Sequence, residues 1–246
     1  MPASYKRILV IKLGALGDFI QALGPMAAIR KHHPDAHITL LTTKPYEHFA
    51  KHSGLFNDIK IDARPKFYNV PQWIKLRSML NENTFERVYD LQNNDRTAFY
   101  LKLFSKKPEW VGAAPGASHR NTSPERTAGH AFDGHVQTLA LAGVKDVEID
   151  TLEWMNGDLT TLPVKTPYVL LVPGSAPNRE EKRWPADKYG RLAKVIASMG
   201  FQPVILGTDS ESEIADTIKT ICPLALDLTG RTNFPLLQFC HVPFLE

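Results

Sequence analysis

A strand, a glycine turn and a helix follow one another at the start of the chain, and this order is the strongest constraint on its fold. Residues 7–13 form a short, mostly apolar and β-branched run closed by Gly14, typical of a strand buried on both faces of a parallel sheet. Residues 19–33 have apolar side chains at helical spacing and end at Pro34. Such alternation predicts right-handed crossovers and a parallel sheet. The alternation of strand and helix continues along the chain, with strands predicted at 38–42, 58–61, 87–91 and 110–112 and helices at 46–52, 73–80 and 97–104.

A second α/β series follows a stretch without regular periodicity. Residues 113–128 are rich in Ala, Pro, Gly, Ser and Thr and are predicted to form a long loop. We predict two Rossmann-like lobes with parallel sheets, at residues 1–157 and 168–246. The second lobe is predicted to be incomplete, because three strands fall short of the usual five or six. The remaining predicted elements are a helix at 131–141, a linker at 158–167, strands at 168–172, 202–206 and 225–228, and helices at 185–199 and 211–221.

Composition limits the partners and the location of the chain. Of its 246 residues, 43% are hydrophobic and 22% are charged, which is ordinary for a globular protein and excludes a disordered or fibrous one. The net charge of +3 is too small to indicate nucleic acid as a partner. No apolar run approaches the roughly 20 residues that a membrane span needs. We expect a soluble cytoplasmic protein, with peripheral contact at the inner membrane left open.

The turn after the first predicted strand is the first candidate site. It contains Gly14, Gly17 and Asp18, and ligands of open α/β sheets bind where such turns leave the carboxyl ends of strands. On spacing alone, the simpler interpretation is that Asp18 caps the following helix. The turn does not match G-x-G-x-x-G, which argues against a dinucleotide-binding dehydrogenase.

A second candidate site follows the strand at 168–172. Gly174, Ser175 and Lys182 lie in a loop that leads into a helix, where a lysine and free backbone N–H groups can hold phosphate oxygens. The alternative is a solvated run of charges at 179–183. Glu211 also has two interpretations, as a first-turn acid that stabilises its helix or as an acceptor for ribose hydroxyls.

Together, these places resemble glycosyltransferase family 9, the lipopolysaccharide heptosyltransferases. The resemblance covers about residues 6–239. It implies a GT-B fold, in which the first lobe holds the acceptor and the second holds a nucleotide sugar. The motifs that carry it are Leu16-Gly-Asp18, the Pro173-Gly-Ser175 loop running to Lys182-Arg-Trp-Pro185, Gly207-x-x-x-Glu211, Leu91-Gln-Asn-Asn-Asp-Arg96 and Leu228-Thr-Gly-Arg-Thr232.

The resemblance assigns roles to particular residues. Asp18 matches the catalytic base that takes the acceptor's proton, which implies inversion at the anomeric carbon. Lys182 matches the lysine that steadies the departing diphosphate, and Glu211 matches the acid that contacts the nucleoside. The other expected contacts are Gly174 and Ser175 for the donor, and Gly14, Gly17, Arg96 and Arg120 on the acceptor side. No D-x-D sequence is present, so neither a metal nor another cofactor is expected beside the ADP-sugar donor.

The sequence also departs from the family. The family continues into a D-[ST]-G-x-x-H loop around the donor's diphosphate, and this sequence contains no such motif. Our leading hypothesis is an inverting transferase that moves a heptose from an ADP-sugar to a lipid-anchored oligosaccharide of the lipopolysaccharide core. The alternative is a truncated, catalytically incompetent relative that binds at most a nucleotide or glycan. A third hypothesis is a nucleoside-diphosphate-binding domain of unrelated function, which a buried Asp18 that caps its helix would favour.

Overall fold

The structure is a computed structural model that describes residues 5–152, 154–155, 162–175 and 180–231. The chain divides into two compact units, Met1–Trp154 and Met155–Glu246. Residues 156–161, which include the predicted end of the first lobe, and residues 232–246 of the second lobe lie outside the described part. No helix in that part is long and apolar enough to cross a membrane.

Unit 1 is built on a parallel sheet with the strand order β3-β2-β1-β4-β5-β6. Its strands are β1 (Arg7–Ile11), β2 (His37–Thr42), β3 (Asp58–Ile61), β4 (Arg87–Asp90), β5 (Glu109–Gly112) and β6 (His119–Arg120). Its α-helices are α1 (Leu16–Gln21), α2 (Leu23–His32), α3 (Glu47–His52), α4 (Val70–Asn81), α5 (Asp95–Tyr100), α6 (Glu125–Ala128) and α7 (Ala131–Ala140). Short 3-10 helices cover Lys44–Tyr46 and Leu101–Leu103.

The central strand β1 is buried on both faces of the sheet. Ile8 and Val10 belong to the hydrophobic core on one face, which also contains residues of α1, α2 and α7. Leu9 and Ile11 belong to the core on the other face, together with residues of α4 and α5. This alternation follows from the two-residue period of a strand and explains the continuous apolar run in the sequence.

Unit 2 is a smaller parallel sheet with the order β7-β8-β9 among its described residues. One core contains Ala193 and Ile196 from one helix and Ala215 and Ile218 from the next. The two parallel sheets confirm the predicted α/β class. The elements are β7 (Tyr168–Leu171), α8 (Ala186–Ser198), β8 (Gln202–Ile205), α9 (Ser212–Ile221) and β9 (Leu226–Asp227), with 3-10 helices at Glu180–Lys182 and Asp209–Glu211.

Two predictions about local structure are wrong. The segment 113–128 is not one long loop, because it contains β6, which pairs in parallel with β5, and the short helix α6. The helix predicted at 19–33 is two helices, α1 and α2, which meet at Ala22.

Candidate functional site

The first candidate site is a cavity of about 280 Å³ in unit 1. It opens between the carboxyl ends of β1 and β4, where the strand order changes direction and where doubly wound sheets bind ligands. Its lining comes from the turns after both strands and from α1, α6 and α7. The lining residues are Lys12, Asp18, Leu91, Gln92, Asn93, Arg126, Thr127, Gly129, Ala131, Gly134 and His135.

Asp18 presents its carboxylate to this cavity rather than capping its helix. Helix α1 begins earlier than the helix predicted at 19–33, and its N-cap is Ala15, with no side-chain hydrogen bond at the cap. Asp18 is therefore the third helical residue, and its side chain is exposed. The simpler interpretation of Asp18 as an N-cap is thus wrong. The condition that would have favoured an unrelated nucleotide-binding domain, a buried Asp18 that caps its helix, is not met.

The turns after β1 and β4 are tied together beneath the cavity. Lys12 Nζ donates a hydrogen bond to the carbonyl of Leu91 at 3.0 Å, and the backbone N–H of Leu13 donates to Gln92 Oε1 at 2.8 Å. Burial lowers the pKa of Lys12, while the carboxylates of Asp18 and Asp90 act in the opposite direction. These bonds fix the floor of the cavity and place a cation next to Asp18.

Asp90 is fully buried at the end of β4. Burial raises its pKa to about 6, even though Oδ1 accepts backbone hydrogen bonds from Asn93 at 2.9 Å and from Gln92 at 3.0 Å. The burial of this carboxyl group at the end of β4 is the cause of the raised pKa.

His135 and Arg126 complete the wall of the cavity. His135 is 6% exposed, and its Nε2 atom has no hydrogen-bond partner among the described residues. Burial lowers the pKa of His135 to about 3, and the positive charges of Lys12 and Arg126 add to this effect. The cavity therefore combines the exposed side chain of Asp18 and the basic side chains of Lys12 and Arg126 with an imidazole that is neutral at pH 7.

Of the residues predicted on the acceptor side, Gly14 lies in the turn before α1 and Gly17 in the first turn of α1, but Arg96 and Arg120 do not line this cavity. Arg96 lines a separate groove beside α4 and α5 and donates to the carbonyl of Pro65 at 3.2 Å. Arg120 is exposed on β6 and donates to the carbonyl of Ala113 at 3.3 Å. The arginine of segment 113–128 that lines the cavity is Arg126, in α6.

The second candidate site lies at the carboxyl edge of the sheet in unit 2. Glu211 is buried there, and its Oε2 accepts hydrogen bonds from the Thr208 backbone N–H at 2.8 Å and from the Thr208 hydroxyl at 2.7 Å. Its Oε1 accepts from the Ser210 hydroxyl at 2.9 Å. Burial acts to raise the pKa of Glu211, but the hydrogen bonds from Thr208 and Ser210 outweigh it and hold that pKa below its usual value. Glu211 thus has the helix-stabilising role that the sequence left open, as part of a capping box.

The loop after β7 packs against Glu211. A Cβ atom added to Gly174 would approach Glu211 Cγ to 2.8 Å, so glycine allows this close approach. Arg183 Nε donates to Ser175 Oγ at 3.1 Å, and the charge of Arg183 also lowers the pKa of Glu211. Lys182 is exposed at the end of the 3-10 helix Glu180–Lys182. Gly174, Ser175 and Glu211 are therefore grouped at one edge together with Arg183, and Lys182 is the residue that precedes Arg183.

The sequence profile of glycosyltransferase family 9 (heptosyltransferase) matches residues 73–239, about two thirds of the chain. The chain belongs to glycosyltransferase family 9. It is a glycosyltransferase, and the predicted family membership is confirmed. None of the curated protein sequences matches it.

Solved structures show the same fold as this family 9 chain. A family 9 glycosyltransferase from Veillonella parvula superposes with a TM-score of 0.77 at 21% identity, over 96% of this chain and 72% of that one. The ADP-heptose lipopolysaccharide heptosyltransferase II of E. coli superposes with a TM-score of 0.68 at 17% identity, over 94% of this chain and 75% of that one. E. coli heptosyltransferase WaaC with ADP-2-deoxy-2-fluoro heptose superposes with a TM-score of 0.67 at 15% identity, over 90% of this chain and 76% of that one. These similarities confirm the GT-B type of α/β fold.

Three residues of this family 9 chain gained no role from the sequence alone. Lys12 lies near the carboxyl end of the strand predicted at 7–13, and that position was the available signal. Arg183 was hidden within a run of charges that also fits a solvated surface. His135 is a single histidine among apolar helix residues and gives no signal of its own, because only the packing of α7 brings it to the cavity.

Proposed function

We propose that this chain transfers a heptose from an ADP-activated donor to a hydroxyl of the lipopolysaccharide core, with inversion at the anomeric carbon. The observation that carries the proposal is the exposed carboxylate of Asp18 in a cavity that also holds Lys12 and Arg126. A carboxylate accepts the proton of an attacking hydroxyl, and two cations suit an acceptor that carries carboxylate or phosphate groups. The solved heptosyltransferases with the same fold support the choice of donor.

In the proposed reaction, Asp18 takes the proton from the acceptor hydroxyl as its oxygen bonds to the anomeric carbon. The bond between that carbon and the diphosphate breaks, and ADP leaves with the electron pair. Attack from the face opposite the leaving group inverts the configuration. Lys182 and Arg183 stabilise the negative charge that develops on the diphosphate. We propose that these cations replace a divalent metal, so transfer should be insensitive to EDTA.

Replacing Asp18 tests the role of the base. We expect Asp18→Asn to lower the rate of sugar transfer by about 10²- to 10⁴-fold. The amide of asparagine has the shape of the carboxylate but does not accept a proton from the acceptor hydroxyl. ADP release and the anomeric configuration of the product are measured with ADP-heptose and a core acceptor. The control is Asp133→Asn, an exposed aspartate in the first turn of α7 that does not line the cavity. Equal turnover in the two variants would rule out Asp18 as the base.

Replacing Lys182 tests the donor site without requiring turnover. We expect Lys182→Ala to weaken ADP binding roughly tenfold, since it removes a charged donor to the diphosphate. Lys188→Ala, an exposed lysine of α8, should leave ADP affinity unchanged. Calorimetric titration with ADP, UDP and GDP measures both affinity and nucleotide preference. ADP binding without any turnover of the unmodified chain would instead favour the catalytically incompetent alternative.

A further inference from the structure

Unit 1 has a second concave surface, distinct from the Asp18 cavity, which we call the α4 groove. Its volume is about 620 Å³, and it lies between the loop before α4 and helices α4 and α5. Phe67, Val70, Ile74 and Phe99 are exposed large apolar side chains that line it, and Phe67 and Ile74 are 88% and 64% exposed. Several such side chains on one surface indicate an interaction site rather than scattered surface residues.

The loop that presents Phe67 is held in place by the body of unit 1. Trp73 Nε1 donates to the carbonyl of Lys66 at 3.1 Å, and Arg96 donates to the carbonyl of Pro65 at 3.2 Å. The rings of Phe67 and Tyr68 lie edge to face at 5.3 Å. The apolar side chains are therefore displayed by a preformed surface, which lowers the entropy cost of binding a partner.

Two segments of the sequence that supply lining residues of the α4 groove are basic. Residues 63–81 include four basic residues and no acidic one, and residues 96–108 also include four basic residues and no acidic one. The whole chain, in contrast, has a net charge of only +3. Asp95 is the acidic residue that lines the groove. The basic residues of the first segment are exposed: Arg64, Lys66, Lys75 and Arg77.

We propose that the α4 groove and its basic rim dock onto the surface of an anionic phospholipid bilayer. Aromatic and aliphatic side chains enter the boundary between headgroups and acyl chains, while lysines and arginines contact the lipid phosphates. A symmetric contact with a second copy of the chain is disfavoured, because it would bring like charges together. The proposal is independent of the transfer reaction, so vesicle binding and turnover are tested separately.

Sedimentation of the full chain with lipid vesicles tests this docking. We expect binding to vesicles of phosphatidylethanolamine and phosphatidylglycerol that weakens at high salt, and little binding to phosphatidylcholine vesicles. Ile74→Asp should lower the bound fraction roughly tenfold, because it places a charge where an apolar side chain enters the boundary. The matched control is Ile149→Asp, since Ile149 is 75% exposed in the same unit but lies outside the α4 groove.

Circular dichroism establishes that both variants are folded before binding is compared. The proposal is overturned if the unmodified chain does not bind anionic vesicles, if it binds phosphatidylcholine equally well, or if the two isoleucine variants bind alike. It is also overturned if light scattering shows a dimer that Ile74→Asp dissociates while vesicle binding is absent.

Discussion

At the scale of single residues, Gly14 determines the shape of the turn that leads into α1 and so to Asp18. Its φ of +113° lies in a region that L side chains rarely adopt. An added Cβ atom would approach Tyr46 Cε2 to 2.5 Å, and the Tyr46 ring is itself stacked on Phe19 at 5.0 Å. Backbone strain and steric overlap therefore both oppose any side chain at this position.

We expect Gly14→Ala to lower the free energy of unfolding by about 2 to 4 kcal/mol, through positive φ and overpacking together. Gly17→Ala is the matched control, because no atom lies within 4 Å of an added Cβ at Gly17 and its φ is not positive. Gly17 is in α1, where alanine favours the helix, so that variant should be equally or slightly more stable. Urea denaturation measures both, and equal stabilities would contradict the proposed constraint at Gly14.

At the scale of elements, Glu211 joins three parts of unit 2. Its carboxylate binds Thr208 and Ser210, and its side chain fills the space beside Gly174. It thus connects the loop after β8, the start of α9 and the loop after β7. The geometry of the carboxyl edge of the sheet in unit 2 depends on this contact.

We expect Glu211→Ala to destabilise unit 2 by about 1 to 3 kcal/mol, because it leaves the Thr208 N–H without its acceptor and opens a gap beside Gly174. Glu213→Ala is the control, since Glu213 is an exposed acid in the first turn of the same helix. Thermal unfolding of both variants measures the difference. Indistinguishable transitions would show that Glu211 does not hold the edge together.

The sequence predicted most strands and helices because they repeat a hydrophobic period, as β1 does on both faces of the sheet. It missed β6, because the two residues His119 and Arg120 are too few to show a period. The cavity in unit 1 was predicted only in part, because its lining residues come from distant parts of the sequence. Asp18 follows the first strand closely in sequence, in the first turn of α1, whereas His135 is distant in sequence and reaches the cavity only through tertiary packing, which one sequence does not reveal.

At the scale of the whole molecule, stability should depend on pH through the buried side chain of His33. His33 is 7% exposed, and its Nε2 atom lies 2.8 Å from the hydroxyl of Tyr89. Burial lowers the pKa of His33 to about 4, and the charges of His32, Arg87 and Arg30 act in the same direction. The folded protein therefore retains the neutral ring, whereas the unfolded chain protonates it near the usual pKa of about 6.5.

Because the pKa of His33 is lower in the folded state, the unfolded chain binds more protons between about pH 6.5 and 4, and stability falls as the pH falls through this window. We expect this residue to lower the free energy of unfolding by about 1 to 2 kcal/mol between about pH 7 and pH 5. His33→Gln removes the titrating ring, so the difference in its free energy of unfolding between the two pH values should be smaller by about 1 to 2 kcal/mol. Any packing that this variant loses affects its stability equally at both pH values and leaves the difference unchanged. His37→Gln, at an exposed histidine at the start of β2, should keep the original slope. Urea titrations at the two pH values measure these differences. If the stability of His33→Gln still falls steeply with pH, the acid sensitivity belongs to other groups. The first of these is buried His135, whose pKa is lowered to about 3.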